Sequence, residues 1–199
     1  MALAGTVAQR FARWVLRIKG WTLEGERPDC HQYVLIAAPH TSNWDLPYLL
    51  ACAASFRVRI RFMAKHTLFV PPLGWLMRAL GGVPIARHRN ENTVDAMARA
   101  FSSGEPLVLV VPTEGTRARA EYWKSGFYRI AQQAGVPIVP SYLDYGNRRA
   151  GFGPPLLPGG DLGADMDILR RFYASMTGLH PEQFGPVRLL EERQERDAA

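Results

Sequence analysis

Cysteine is nearly absent from this chain. Cys30 and Cys52 are the only two in 199 residues, and no C-x-x-C pair occurs. Two such thiols define no disulfide framework, so a stapled secreted scaffold is excluded and a reducing compartment is expected. The five histidines, His31, His40, His66, His88 and His180, are scattered without ligand spacing, which argues against a metal enzyme. Long apolar runs are missing too. The longest, LFVPPLGWLM at 68–77, holds two prolines and is far short of the ~20 residues a spanning helix needs. The opening MALAGTVAQRFARWVLRIKG is interrupted by Gln9, Arg10, Arg13 and Arg17, so no secretory signal is expected. There is no internal repeat, no clear linker and no G-x-S-x-G elbow. No nucleic-acid reading motif occurs, and the basic residues are spread along the chain, so nucleic acid is not an expected partner.

What is present is a globular composition, 47% hydrophobic, with a net charge of +6. That length suits one domain with a sizeable core, and the basic excess suits anionic partners such as phosphorylated metabolites or lipid head groups. Residues 3–19 fit an amphipathic helix with Val7, Phe11, Trp14, Val15 and Ile18 on one face and Arg10, Arg13 and Arg17 beside it. Two placements fit it: a membrane interface, or a face packed on the domain itself. Downstream, apolar strands at 33–38, 59–65, 83–87, 106–112 and 136–145 alternate with helices at 46–56, 91–104 and 127–135. The segment at 68–82 reads as a buried helix or as the lining of an apolar groove. Residues 146–160 read as Gly- and Pro-rich loop, and Asp161 as the cap of a helix reaching about Gly178, with Leu162, Met166, Leu169, Phe172 and Met176 inward. Strands alternating with helices imply one α/β domain, with a largely parallel or mixed central sheet flanked by helices. The expected organisation is an N-terminal helix at 1–19, a domain at 20–190 and a charged, frayed tail at 191–199.

Polar clusters follow three of the strands: PHTSNWD, ARHR and TEGTRAR. Ligands of open α/β sheets bind outside the strand carboxyl ends, so the three clusters can share one site. His40 and Asp45, five apart, would diverge on a straight helix. Pro39 ends a strand, Thr41, Ser42 and Asn43 suit a turn, and Pro47 must lie in the first turn of the next helix. A bend therefore lets Asp45 hold one imidazole nitrogen and leave the other free. Asp45 also suits an N-cap, and the pair alone does not select catalysis. In TEGTR, Gly115 lets backbone approach a ligand, Thr116 offers a hydroxyl, and Arg117 offers a planar fork for phosphate. Arg87 ends its strand at a similar level, and Lys124 follows Arg117 in one loop.

In order and spacing these blocks resemble the glycerolipid acyltransferases, the lysophosphatidic acid acyltransferase family. H-x-x-x-x-D is matched by His40 and Asp45. A strand ending in arginine after glycine is matched by GGVPIAR with Arg87. F-P-E-G-T-R-S is matched by PTEGTRA, and an apolar strand bounded by prolines by VPIVP at 136–140. The resemblance covers roughly residues 33–145 and suggests a compact bacterial-type branch. Pro112, Thr113 and Ala118 depart from the family's usual Phe, Pro and Ser.

The resemblance implies a glycerol-phosphate acyltransferase-like fold. It implies acyl transfer from acyl-CoA or acyl carrier protein, as co-substrate, to a hydroxyl of a lysophospholipid-like acceptor. His40 would be the general base and Asp45 its partner. Arg87, Arg117 and Lys124 would hold an acceptor phosphate, with Gly115 and Thr116 in the same loop, and Glu114 would position the acceptor or Arg117. No metal or cofactor is required, and an anionic surface at the cytoplasmic face of a membrane is the expected location. The rivals are a phosphate-handling hydrolase, from ARHR at 86–89, and a basic lipid-binding module without turnover.

Overall fold

The computed structural model describes residues 2–85 and 90–193; for residues 2–6, 64–65, 85 and 90–92 it describes the backbone. Seven strands form one sheet: β1 (Thr22–Glu24), β2 (Gln32–Ala37), β3 (Ile60–Lys65), β4 (Gly82–Ile85), β5 (Leu107–Val111), β6 (Ile138–Asp144) and β7 (Arg149–Phe152). Their spatial order is β1-β7-β6-β2-β5-β3-β4. Strands β2 to β6 run parallel, while β7 pairs antiparallel with β6 and parallel with β1. The sheet is therefore mixed, as the alternation of elements implies, with its central strands sequestered. In β2, Tyr33 and Leu35 face one side and Val34 and Ile36 the other, and all four are at most 1% exposed. A parallel strand covered on both faces must be apolar at every position, which is why its sequence shows no alternation.

Among the described residues six helices flank the sheet: α1 (Ala2–Ile18), α2 (Asp45–Ser55), α3 (Leu73–Ala79), α4 (Asn90–Phe101), α5 (Gly126–Ala134) and α6 (Leu162–Tyr173). The core on one face runs across the sheet through Val34, Ile36, Leu109, Val111 and Ile138, and joins it to Phe101 of α4, Phe127 of α5 and Met166 of α6. On the other face Tyr33, Leu35, Phe62 and Val110 meet Ala53 of α2 and Met77 of α3. A smaller cluster of Leu16, Trp21, Cys52 and Leu143 seats α1 against α2. Burying a leucine such as Leu16 contributes ~1.5–3 kcal/mol, and Gln9 Nε2 adds a 2.9 Å hydrogen bond to the Ser55 carbonyl.

Several expectations are corrected here. The face of α1 turned to the domain is Ala12 and Leu16, while Val7, Phe11, Trp14 and Ile18 are 58–67% exposed. The helix thus has two apolar faces, and the larger one is unpartnered among the described residues. Of the two readings of 68–82, a groove lining fits Leu68 and Met77, which border the cavity described below, and a buried helix does not. Only part of it is helical, and Val70, Leu73, Trp75, Leu76 and Leu80 face outward, with Phe69, Gly74 and Met77 inward. Residues 149–152 form β7 rather than loop, and Thr22–Glu24 forms β1; both are short strands that draw their stability from pairing, not from a run of apolar residues. Helix α6 begins on Asp161, whose Oδ1 accepts from Ala164 N at 3.0 Å, but it ends at Tyr173, before the expected Gly178. Met176 lies beyond it, and Tyr173 is the buried aromatic. The tail is not frayed throughout. Residues 191–193 are helical, and the buried Glu192 accepts from Leu189 N and Arg170 Nη2, both at 2.6 Å.

Candidate active site

The carboxyl ends of the central strands converge on one rim. His40 follows β2, Glu114 to Arg117 follow β5, and Tyr145 follows β6. Strand β2 lies between β5 and β6; α2, which follows β2, packs on one face of the sheet, and α5, which joins β5 to β6, packs on the other. A crevice opens where such connections diverge. The bend between His40 and Asp45 is present: α2 begins at Asp45, with Pro47 in its first turn. Asp45 does not cap its own helix. It is 5% exposed and turns back, so that Oδ2 accepts from Ser42 N at 2.9 Å and stands 3.0 Å from His40 Nδ1. Oδ1 accepts from the Tyr145 hydroxyl at 2.8 Å. Holding Nδ1 on a carboxylate fixes that nitrogen as N–H and leaves Nε2 as the free basic nitrogen. No described residue bonds Nε2, and His40 lines a cavity.

That cavity has a volume of about 610 Å³, inside the ~300–1,000 Å³ of small-molecule sites. It runs along α2 beneath the sheet rim, from His40 to a floor where the Phe56 and Phe152 rings meet at 4.9 Å. Leu35, Leu46, Leu49 and Met77 line its wall. Asp45 and Phe56 are eleven helical steps apart, about 16 Å at ~1.5 Å each. A second, open cleft of about 730 Å³ lies on the other side of Arg117 and is lined by Thr41, Asn43, Thr116, His180 and Gln183. Arg117 borders both clefts, is exposed, and has no ion pair among the described residues.

Glu114 sits elsewhere than expected. It is 1% exposed and lines neither cleft. Its Oε1 accepts from the His40 backbone N–H at 3.1 Å, and Oε2 has no partner among the described residues. Burial, partly opposed by the His40 bond and reinforced by the Asp45 charge, raises its carboxyl from 4.5 to about 7. Glu114 thus braces the loop that carries His40. Gly115 has a φ of 67°, the left-handed region that favours glycine, and Lys124 lies across it: a Cβ there would stand 3.1 Å from Lys124 Cγ. Thr116 and Lys124 are exposed beside Arg117. Arg87, and the ARHR block with it, lies outside the described residues.

Three contributions escaped sequence reasoning. Tyr145 reaches Asp45 from 100 residues away with no local motif. The aromatic floor of the cavity comes from residues that read only as core. The segment after α6 closes over the His40 loop: His180 N donates to Thr41 Oγ1 at 3.2 Å. The Gln183 amide nitrogen, in the orientation its neighbours require, donates to the Arg117 and Thr41 carbonyls at 2.6 and 3.0 Å. A Cβ on Gly178 would stand 2.7 Å from Thr41 Oγ1, a close approach that explains the glycine.

Known proteins resemble this chain in sequence and in fold. The Acyltransferase family model matches residues 22–144, from β1 to the end of β6. A chloroplastic 1-acyl-sn-glycerol-3-phosphate acyltransferase of Brassica napus is 35% identical over 110 residues, 52% of this chain and 30% of its own. The mouse 1-acyl-sn-glycerol-3-phosphate acyltransferase epsilon is 28% identical over 129 residues, 61% of this chain and 35% of its own. The chain thus spans less than half the length of these curated relatives. The crystal structure of PlsC from Thermotoga maritima, a 1-acyl-sn-glycerophosphate (LPA) acyltransferase, shares the fold. Its TM-score is 0.61 at 19% identity, with 85% of this chain and 78% of that one covered. Because the family model spans more than half of the 199 residues and takes in both the His40–Asp45 turn and the Glu114–Arg117 loop, the chain belongs to the acyltransferase family.

Proposed function

We propose that this protein transfers a fatty acyl group from a thioester, acyl-CoA or acyl carrier protein, to a hydroxyl of a lysophospholipid-like acceptor. One observation carries this reading: an imidazole held at Nδ1 by a buried carboxylate, with Nε2 free at the mouth of an apolar cavity. An alcohol is a weak nucleophile at neutral pH. His40 Nε2 takes the hydroxyl proton as the oxygen attacks the thioester carbonyl, and the imidazolium returns it to the leaving thiolate as the C–S bond breaks. Asp45 fixes the tautomer and stabilises the imidazolium. The cavity between His40 and the Phe56–Phe152 floor suits an acyl chain, and the unpaired Arg117 at its rim suits the acceptor phosphate, with Lys124 and Arg87 as further cations.

The same reading places the protein on a membrane surface, with the helix at 1–19 as its contact. The α1–α2–α3 layer exposes Phe11 and Trp14 on α1, Trp44 at the start of α2, and Val70, Trp75 and Leu76 around α3. Arg10, Arg13 and Arg17 flank the α1 face, and aromatic and apolar side chains beside arginines suit the interface of an anionic bilayer. No helix among the described residues is long and apolar enough to cross a membrane.

The test is incubation with radiolabelled acyl-CoA and lysophosphatidic acid. Labelled phosphatidic acid with stoichiometric free thiol is expected, and His40→Ala should lose both by roughly 10²–10⁴-fold. Vesicle binding without thiol release would favour the lipid-binding module. Release of inorganic phosphate would favour the hydrolase.

A further inference from the structure

The Asp45 carboxylate is oriented from a third element that the H-x-x-x-x-D turn does not contain. Its two oxygens are divided. Oδ2 takes Ser42 N and His40 Nδ1, and Oδ1 takes the Tyr145 hydroxyl at 2.8 Å. A carboxylate held at one oxygen can still swing about its Cβ–Cγ bond. Held at both, it presents one oxygen to the imidazole continuously, and a pre-set geometry spares reorganisation during the reaction.

The tyrosine is itself fixed. Its backbone N–H donates to the Thr177 carbonyl at 2.8 Å. Its ring meets Trp21 edge-on at 5.0 Å and Tyr48 edge-on at 5.9 Å, and Trp21 and Tyr48 lie 4.8 Å apart. This three-ring bracket joins the turn after α1, the first helical turns of α2 and the end of β6. Burial and the neighbouring Asp45 charge push the Tyr145 hydroxyl well above the ordinary phenol range, so it remains a donor throughout the working pH range. Tyr145 is half-buried and lines neither cleft, so the contact that links it to the site is its bond to Asp45.

We propose that Tyr145 is a positioning residue for acyl transfer, acting through Asp45 to hold His40 Nδ1 in place. The proposal rests on the acyl-transfer reading above. Tyr145→Phe keeps the ring and its packing and removes only the hydroxyl. A hydrogen bond to a charged group of this kind corresponds to roughly a tenfold to hundredfold effect.

The experiment measures acyl-CoA turnover with lysophosphatidic acid for Tyr145→Phe, Asp45→Asn, the double variant and His40→Ala, each as the full chain, with thermal melts alongside. Tyr145→Phe should lower kcat by that factor and leave both KM values within about twofold. In the Asp45→Asn background the same substitution should cost less than about twofold, because its effect runs through the carboxylate. An equal loss in both backgrounds would mean that the tyrosine acts only on general stability, and would overturn the proposal. So would a wild-type kcat for Tyr145→Phe beside an inactive His40→Ala. Wild-type turnover by His40→Ala would instead overturn the acyl-transfer reading itself.

Discussion

Replacing Glu114 with glutamine should change how stability depends on pH, by an amount the structure sets. The carboxyl is 1% exposed, and burial raises it from 4.5 to about 7. Between those values the folded state holds a proton that the unfolded chain releases. Stability therefore falls as pH rises through that interval, and the loss is complete above about pH 7. At 1.36 kcal/mol per unit, the wild-type penalty at neutral pH and above is about 3 kcal/mol. Glutamine is uncharged at every pH and keeps an oxygen for the His40 N–H, the hydrogen bond that Glu114 accepts. Urea unfolding of both proteins from about pH 5 to about pH 8 isolates this group, because every other titration cancels in the difference. Glu114→Gln should match wild type near pH 5 and gain by up to about 3 kcal/mol at pH 8. Curves that stay parallel across the range would refute the buried, proton-holding carboxyl and its place behind the His40 loop.

Other perturbations address the chemistry. Under the proposed mechanism Asp45→Asn should lower kcat by up to ~10⁴-fold with little change in either KM, since the carboxylate would act by orienting His40; steady-state thiol release measures this. Arg117→Ala should raise the KM for lysophosphatidic acid by roughly tenfold or more, leaving the acyl-CoA KM near wild type, through loss of a charge-assisted contact. Phe56→Ala should open the cavity floor and shift preference toward longer acyl chains, read by competing thioesters of different length. Replacing Phe11 and Trp14 together with glutamate should abolish co-sedimentation with anionic vesicles at an unchanged melting temperature, because both are more than half exposed. Removing α1 entirely would be a poorer test, since it strips the buried Leu16 and Ala12 from α2.

The α/β alternation, the bend between Pro39 and Pro47, and the polar clusters that follow apolar strands are all written in local patterns of residues. These are local matters: proline lacks an N–H, glycine reaches left-handed φ, and a doubly covered strand must be apolar throughout. His40 and Asp45 were legible for that reason, since a tight turn joins residues already close along the chain. What surrounds them depends on contacts between segments far apart in the chain. Tyr145 is 100 residues from Asp45 and Glu114 is 74 from His40, and no local propensity encodes either contact. Strands β1 and β7 escaped because three or four residues gain their stability from ladder partners. The outward face of α1 was undecided by its pattern, because a helix with two apolar faces fits either neighbour until the seating of Leu16 shows which one the domain takes. Long-range packing, and with it the orientation of the Asp45 carboxylate, is fixed when the sheet brings distant strand ends to one rim.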